Sequence, residues 1–344
     1  MFQGARLRPP ERHGAQRPME VLRGYSATPD HLKNAAVAIG NFDGVHRGHQ
    51  AVLAAAQQAA GDDGRAAGVM VFEPHPRQFF RPDVPLFRLT PLPLKLELLE
   101  AYGLDFAVVL NFDASLSSLT ADEFVDRVLV DGLCVGHMIA GYDFHFGKNR
   151  QGTPKCMIAM GEARGFGVSI VEPVGEGSDH FSSSAIRELL GAGNMAAAAE
   201  MLGYWWRLRG GVVTGAGRGF DLGFPTANIA VKGELGLAQG IYAVRVYHGD
   251  HRLMGAAYYG ERPTFGDNEA GVEVFLLDFD GNLYGQDIEI EFIARLREDE
   301  TFSGEEDLKA QMTRDCEAAR AVLAQVDSDD PMLRFPLGRA LART

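Results

Sequence analysis

Five short apolar runs constrain the fold of the first half of the chain more than any other feature. They lie at 36–40, 68–72, 106–110, 137–141 and 167–171. Near-continuous apolar runs of this length are typical of parallel strands that are buried on both faces. Helical patterns lie between them, at 50–60, 94–102, 121–129 and 154–164. The alternation predicts an α/β fold with a doubly wound parallel sheet, whose ligand site lies at the carboxyl ends of the strands.

The pattern changes near Gly203, after two further helix candidates at 184–190 and 195–202. Strand candidates follow at 205–213, 241–247, 253–259, 272–279 and 288–293, with residues 280–282 as a predicted hairpin turn. Residues 304–326 have helical spacing and acidic side chains in the first turn. We therefore predict a small antiparallel β-barrel with a C-terminal helix packed on it.

A chain of 344 residues is too long for one ordinary core and fits two domains. The predicted limits are 19–203 for the first domain and 204–327 for the second. Residues 1–18 hold several Arg and Pro residues without an apolar stretch, which indicates a disordered extension and not a secretory signal. The tail at 328–344 is either disordered or an arm that packs on the rest of the protein.

Charge and cysteine content exclude some classes of function. A net charge of -13 disfavours binding to nucleic acids, because that binding relies on clustered Lys and Arg. Cys134, Cys156 and Cys316 lie far apart and form no C-x-x-C pair, so we expect neither a disulfide framework nor a zinc site. No apolar run is long enough to span a bilayer. We expect a cytoplasmic protein that binds anionic substrates through helix N-termini, single Arg residues and Mg²⁺, with no nucleic acid, membrane or protein partner evident.

The segment 40–49, Gly-Asn-Phe-Asp-Gly-Val-His-Arg-Gly-His, follows a strand candidate and opens a helix candidate. Free backbone N–H groups and the positive end of the helix dipole can hold a phosphate at such a junction. His46 and His49 place two imidazoles near the helix start, and the missing side chain at Gly48 lets a phosphate approach the backbone. Two alternatives are a turn with two surface histidines, in which the Asn and Asp of the loop bond their own backbone, and a metal site.

A second candidate phosphate site is a glycine-rich loop at 215–219, which runs into a polar strand with the sequence Pro-Thr-Ala-Asn at 225–228. Backbone amides in such a loop can cradle a phosphate. Thr226 and Asn228 carry hard oxygen donors of the kind that Mg²⁺ prefers. The plain alternative is a long hairpin loop followed by polar strand-edge residues. Glu273 lies on a predicted alternating strand and is either an outward-facing residue or a functional carboxylate.

Several further segments accompany these two sites in one order along the chain. They are Phe-Glu-Pro-His-Pro at 72–76, Phe-Arg-Leu-Thr at 87–90, Gly-Tyr-Asp-Phe-His-Phe-Gly at 141–147 and Ser-Ser-Ser-Ala-Ile-Arg at 182–187. Together with 40–49 they resemble the signature of prokaryotic bifunctional riboflavin kinase/FMN adenylyltransferases, the FAD synthetases. Residues 225–228 resemble the P-T-x-N motif of riboflavin kinases. The resemblance implies a Rossmann-like nucleotidyltransferase domain followed by a riboflavin kinase barrel.

The resemblance implies two reactions that both use ATP as co-substrate. The kinase phosphorylates riboflavin to FMN with release of ADP, and the adenylyltransferase transfers AMP to FMN, which gives FAD and pyrophosphate. In the kinase, Glu273 would accept the proton of the riboflavin 5′-hydroxyl while Thr226 and Asn228 hold Mg²⁺. The implied phosphate contacts in the glycine-rich loop are Gly215, Gly217, Arg218 and Gly219.

For the adenylyltransferase, the resemblance implies that His46 and His49 contact the ATP phosphates and that Arg187 binds the departing pyrophosphate. Asp143 resembles a position that supports Mg²⁺ or nucleotide binding. Viewed alone, 182–184 is an ordinary helix N-cap and Arg187 is a solvated charge on a helix face. The further implied contacts are Asn41, Phe42, Asp43, Gly44, Gly48, Ser183 and Ser184 with ATP, and His75, Asp143 and Phe144 with the flavin.

Two departures from the family pattern leave other functions open. Phe220 stands where Arg is common, and Tyr258 stands where Asn is usual. These changes are compatible with a monofunctional FMN adenylyltransferase whose barrel binds flavin and is weakly active as a kinase. A third hypothesis makes the chain a non-catalytic flavin sensor, although a mere binder has no need of a general base beside a metal site.

Overall fold

The computed structural model describes residues 18–176, 179–214, 226–231, 233, 235–261 and 270–342. The predicted N-terminal extension, apart from its last residue, lies outside these ranges. The same holds for Phe220 and for the predicted phosphate-loop residues Gly215, Gly217, Arg218 and Gly219. The chain forms two compact units, Met1–Ser182 and Ser183–Thr344. The domain limits at 203 and 204 stay a prediction.

The first unit is built on a six-stranded parallel sheet with the order β1-β4-β3-β2-β5-β6. Its strands are β1 (Glu20–Arg23), β2 (Ala36–Ile39), β3 (Ala67–Glu73), β4 (Phe106–Asn111), β5 (His137–Gly141) and β6 (Gly167–Val171). Five of these strands lie at the predicted apolar runs, so the doubly wound sheet is confirmed. β1 is an addition to the prediction. It is an edge strand whose residues alternate between half-buried and exposed, and it pairs with β4.

β2 lies where the strand order reverses, because β3 pairs with one of its edges and β5 with the other. In open α/β sheets, ligands bind in the crevice outside the carboxyl ends of the strands at such a point. The loops that follow Ile39 and Gly141 therefore border the expected crevice. All four residues of β2 are buried, so the core of the sheet fixes the start of the first loop.

The helices of the first unit lie between the strands, as predicted. They are α1 (Arg47–Asp63), α2 (Pro76–Phe80), α3 (Leu92–Ala101), α4 (Ala114–Ser117), α5 (Ala121–Phe124) and α6 (Pro154–Arg164). A π-helical turn at Val125–Val130 continues α5 through the rest of the predicted helix. α1 ends at Gly64 in the left-handed conformation, with φ 64°, which glycine adopts without steric cost. A two-stranded ribbon, β7 (Gly175–Glu176) with β8 (Asp179–His180), follows β6.

The second unit contains a closed six-stranded barrel with the order β10-β13-β12-β11-β14-β9, in which every pairing is antiparallel. Its strands are β9 (Arg207–Val213), β10 (Thr226–Ile229), β11 (Gly240–His248), β12 (His251–Glu261), β13 (Ala270–Leu276) and β14 (Asp287–Arg297). The predicted barrel is confirmed. The predicted hairpin turn at 280–282 is wrong, because β13 pairs with β10 and β12 whereas β14 pairs with β11 and β9.

The helices of the second unit are α7 (Ser183–Gly191), α8 (Met195–Leu202), α9 (Glu305–Ser328) and α10 (Pro336–Leu341). α9 is the predicted C-terminal helix, with three acidic residues in its first turn. The tail beyond it is a packing arm, since Met332 and Leu337 are buried. Asp330 anchors the arm by accepting hydrogen bonds from Trp205 Nε1 at 3.0 Å and from Arg245 Nη1 at 2.7 Å. Within the described ranges, no helix is long and apolar enough to cross a membrane.

Candidate active sites

The loop between β2 and α1 turns sharply through three residues with positive φ. Phe42 has φ 48°, Gly44 has φ 87° and Val45 has φ 39°. Positive φ is uncommon outside glycine and is a genuine outlier for a β-branched residue such as Val45. Phe42 and Val45 are buried, and Gln50 Nε2 donates to the Val45 carbonyl at 2.9 Å. Strained backbone persists only where its surroundings hold it, and it clusters at functional sites.

Two stacked imidazoles stand where this loop enters α1. His46 caps the helix, with Nδ1 accepting the backbone N–H of His49 at 3.3 Å. The ring centroids lie 3.6 Å apart and the ring planes differ by 22°. The pKa of His49 lies well below its usual value, because of burial first and of the neighbouring His46 and Lys95 next. His49 is therefore neutral at pH 7, and one ring nitrogen can donate a hydrogen bond to an anionic ligand.

Gly48 makes room for the imidazole pair. A Cβ atom at Gly48 would lie 3.1 Å from Nδ1 of His46 and 3.2 Å from the carbonyl oxygen of Phe181. The predicted approach of a phosphate to the Gly48 backbone stays a prediction, and a side chain at this position would crowd the His46 ring. In the part of the chain that the structure describes, no group of three or more His, Cys, Asp or Glu side chains is placed to hold a metal ion.

A distant segment, residues 88–95, holds the loop in place. Asp43 is buried, and its carboxylate accepts the backbone N–H groups of Leu89 at 3.3 Å and Thr90 at 3.1 Å. The Thr90 hydroxyl in turn accepts the backbone N–H of Gly44 at 2.8 Å. Asp43 therefore positions the loop, whereas its predicted contact with ATP stays a prediction.

The sequence pattern predicts no role for the two charged side chains of the same segment, Arg88 and Lys95. Lys95, on α3, is fully buried and donates from Nζ to the Asn41 carbonyl at 2.6 Å. Arg88 pairs with Glu73 at 3.1 Å, and its Nε lies 3.8 Å from Asp43 Oδ1. One sequence signal for this part of the site is the Phe-Arg-Leu-Thr segment at 87–90. A second is the helical spacing of α3, since Lys95 lies three and four residues before the buried Leu98 and Leu99 and therefore on the apolar face of the helix.

Other predicted residues of this site lie at the ends of neighbouring strands. His75 follows β3, is half-buried and caps α2 by accepting the backbone N–H of Arg77 at 3.1 Å. Asp143 and Phe144 follow β5, with Asp143 exposed and the Phe144 ring stacked on that of Phe146 at 5.8 Å. The sheet thus brings the loops after β3 and β5 to the edge where β2 ends. Their ligand contacts stay predictions.

The predicted pyrophosphate contacts lie in the second compact unit. Ser183, Ser184 and Arg187 occupy the first two turns of α7, with Ser184 exposed and Arg187 half-buried. Their role towards ATP stays a prediction.

A second constellation lies on the barrel. Asn228 on β10 stands directly opposite Glu273 on β13, and Tyr258 on β12 stands opposite Glu273 on its other side. Thr226 lies two residues before Asn228 and therefore points to the same face of the strand. Glu273 is only 8% exposed, so it is not the solvated surface residue of the plain alternative. The structure brings together the three residues that the sequence predicted for this site.

This constellation fits a divalent cation. Asn228 is 4% exposed, and its Oδ1 is buried without a hydrogen-bond partner among the described residues. An unpartnered buried acceptor is costly unless a ligand completes it. The hydroxyl of Thr226 adds a further oxygen donor to the same face, and oxygen ligands are those that Mg²⁺ takes.

Comparison with known proteins matches each unit to one enzyme family. The FAD synthetase family model matches residues 28–185, and the riboflavin kinase family model matches residues 202–323. The bifunctional riboflavin kinase/FMN adenylyltransferase of Pseudomonas fluorescens is 40% identical over 308 residues, which cover 89% of this chain and 98% of that protein. The protein of the same name from Escherichia coli is 36% identical over 304 residues, covering 88% of this chain and 97% of that protein.

A solved structure shows the same fold over most of the chain. The crystal structure of a macrolide-efflux protein from Streptococcus pneumoniae matches with a TM-score of 0.78 at 28% sequence identity. The match covers 88% of this chain and 99% of that chain.

Proposed function

This chain belongs to the bifunctional riboflavin kinase/FMN adenylyltransferases, and we propose that residues 19–203 carry the adenylyl transfer and residues 204–327 the kinase reaction. It phosphorylates riboflavin to FMN and adenylylates FMN to FAD, with ATP as co-substrate and with ADP and pyrophosphate as the other products. The observation that supports the assignment of both activities is that each unit has its own polar constellation, the stacked His46 and His49 in the first and Asn228 with Glu273 in the second.

For the adenylyl transfer, we assign the ATP phosphates to the β2–α1 junction. An oxygen of the FMN phosphate attacks the α-phosphorus of ATP, the bond from that phosphorus to the bridging oxygen breaks, and pyrophosphate leaves. The backbone N–H groups at the start of α1 and the imidazoles of His46 and His49 face the negative charge that develops in this step. Asn41, Phe42 and Gly44 form the loop around the ATP phosphates.

The remaining residues of the first reaction are assigned by their position in the motifs. Arg187, with Ser183 and Ser184, binds the departing pyrophosphate. Asp143 and Phe144, after β5, and His75, after β3, contact the flavin, and Asp143 also supports Mg²⁺. The assignments of His75, Asp143 and Phe144 are supported by the strand order, which places the loops after β3 and β5 on either side of β2.

For the kinase reaction, Glu273 is the general base. Its carboxylate accepts the proton of the riboflavin 5′-hydroxyl, whose oxygen attacks the γ-phosphorus of ATP while ADP leaves. Enzymes that use ATP in this way generally need a divalent metal, and we propose Mg²⁺ held by Thr226 and Asn228. When bound, the ion neutralises charge on the ATP phosphates. Gly215, Gly217, Arg218 and Gly219 are assigned to the phosphates from the sequence alone.

A cytoplasmic location is part of the proposal. It is supported by the use of ATP and by the three unpaired cysteines, which suit a reducing compartment.

One incubation tests the proposal against its alternatives. Purified protein is mixed with riboflavin, ATP and Mg²⁺, and the flavins are separated by chromatography. We expect FMN and then FAD. FAD formed only from supplied FMN would instead support a monofunctional adenylyltransferase, and flavin binding without turnover would support a sensor.

A further inference from the structure

A buried lysine lies behind the loop that we assign to the ATP phosphates. The Lys95 side chain is fully buried, yet among the described residues its ammonium donates a hydrogen bond only to a neutral group, the Asn41 carbonyl at 2.6 Å. Burying an ammonium group is unfavourable unless a negative charge compensates it. No step of the reactions described above uses this side chain.

Four other charged or titratable groups face Lys95 from the elements packed against it. Asp43 lies on the phosphate loop, Glu73 ends β3, Arg88 precedes α3, and His49 lies on α1. Arg88 pairs with Glu73 and lies close to Asp43, so the two carboxylates already share a cation. Together with Lys95 these groups carry two negative and two positive charges, but among the described residues the Lys95 ammonium hydrogen-bonds the Asn41 carbonyl and neither carboxylate, so its charge can also act on an anion on the other side of the loop.

We propose that Lys95 is a positioning residue for FMN adenylylation, which holds the Asn41 end of the phosphate loop and places a buried positive charge behind the bound ATP phosphates. The inference rests on the proposed function of the first unit. Two features of the geometry support it. The hydrogen bond fixes the first residue of a loop whose later residues are strained, and a charge in a buried, low-dielectric position acts on a nearby anion more strongly than a solvated one.

The ionisation of Lys95 predicts a measurable pH dependence of FMN adenylylation. Burial, and next the charge of Arg88, lower the pKa of Lys95 to about 8, while Asp43 and Glu73 act in the opposite direction. The side chain is therefore charged below this pH and loses its charge above it. For FMN adenylylation, kcat/KM for ATP reports the ionisation of the free enzyme, so it should fall as the pH rises through about 8. Riboflavin phosphorylation should lack this alkaline decrease.

The test compares Lys95→Met, Lys95→Arg and the control Lys155→Met. Lys155 is an exposed lysine in the first turn of α6 of the same unit. FMN adenylylation is measured with supplied FMN from about pH 6.5 to about pH 9.5, with kcat and KM for ATP determined separately. Thermal unfolding of the same samples, followed by circular dichroism, shows whether the first unit of each variant is folded, and riboflavin phosphorylation shows that the second unit is intact.

We expect Lys95→Met to raise KM for ATP about tenfold to a hundredfold in FMN adenylylation, as for the loss of one hydrogen bond from a charged group, with a smaller change in kcat. Its alkaline decrease near pH 8 should disappear. Lys95→Arg should keep most of the activity and move the decrease to higher pH, since the guanidinium stays charged. Lys155→Met should match the unsubstituted protein.

Three results would overturn the inference. They are an unchanged KM for ATP in Lys95→Met, an alkaline decrease that stays near pH 8 in Lys95→Arg, and an equal loss of riboflavin phosphorylation. If Lys95→Met fails to fold, the pH profile of Lys95→Arg decides alone. An unsubstituted protein that makes no FAD from FMN would refute the proposed function itself, whereas FAD formation that is insensitive to Lys95 would refute only this inference.

Discussion

Substituting Asp43 by Asn should destabilise the first unit and leave the second unchanged. The Asp43 carboxylate is buried and accepts two backbone N–H groups, those of Leu89 at 3.3 Å and Thr90 at 3.1 Å. Arg88 Nε lies 3.8 Å from the same carboxylate. An Asn side chain has one acceptor oxygen, and its NH₂ group would face one of these N–H donors. The partners named here all lie in the first unit.

The size of the effect follows from these bonds. A hydrogen bond to a charged acceptor contributes about 1.5–3 kcal/mol, and a buried N–H left unpaired costs about 1–3 kcal/mol. Because the two contributions overlap, we expect a loss of about 3 kcal/mol. For a unit of about 150–250 residues, each 1 kcal/mol lowers Tm by about 2–4 °C. The unfolding midpoint of the first unit should therefore fall by about 6–12 °C.

The assay measures both activities in samples heated to a series of temperatures. The midpoint for loss of FMN adenylylation should fall by this amount in Asp43→Asn, and the midpoint for loss of riboflavin phosphorylation should not move. Asp83→Asn, which changes an exposed carboxylate of the same unit, is the matched control and should leave both midpoints unchanged. An adenylylation midpoint that stays within about 2 °C of the unsubstituted protein, or an equal fall of both midpoints, would refute the reasoning.

Two further predictions concern the barrel unit. Arg297→Met removes the cationic partner of Asp315, which is buried and accepts from Arg297 Nε at 2.9 Å and Nη2 at 2.8 Å. Among the described residues the carboxylate keeps only the Gln311 amide at 2.9 Å, and the loss of its counter-charge should cost about 3 kcal/mol. The heating assay should show a lower midpoint for riboflavin phosphorylation, and an unchanged midpoint would contradict the expectation. Asn228→Ala should raise the Mg²⁺ concentration for half-maximal FMN formation about tenfold or more, since it removes a proposed metal ligand. A magnesium titration of FMN formation checks this, and an unaltered midpoint would argue against Asn228 as a ligand.

The sheet of the first unit could be predicted because its central strands are buried on both faces. β5 and β6 have the predicted limits, since each is a compact run without competing signals. The hairpin turn predicted at 280–282 is an element for which the local sequence was not enough. Its Asp-Gly-Asn sequence is typical of a turn, but strand pairing depends on partners elsewhere in the chain, and both β13 and β14 have other neighbours.

The residues of the candidate sites also differ in whether the sequence could predict their positions. The place of His46 and His49 at a helix start could be predicted from the sequence because a strand, a glycine-bounded loop and a helix start follow each other within a few residues. The residues that hold this loop could not, because Thr90 lies 46 residues from Gly44 and Lys95 lies 54 residues from Asn41. Likewise, only the register of β10 and β13 brings Asn228 beside Glu273.

The most direct test of two separate reaction sites in one chain is a mixing experiment with His49→Ala and Glu273→Gln, supplied with riboflavin, ATP and Mg²⁺. His49→Ala alone should accumulate FMN, and Glu273→Gln alone should form no FMN but convert supplied FMN to FAD. The mixture should make FAD from riboflavin, because FMN released by one variant reaches the intact site of the other. A mixture that makes no FAD, although each variant keeps its remaining activity, would contradict this prediction. It would also be contradicted if either substitution abolished both reactions in a protein that is still folded.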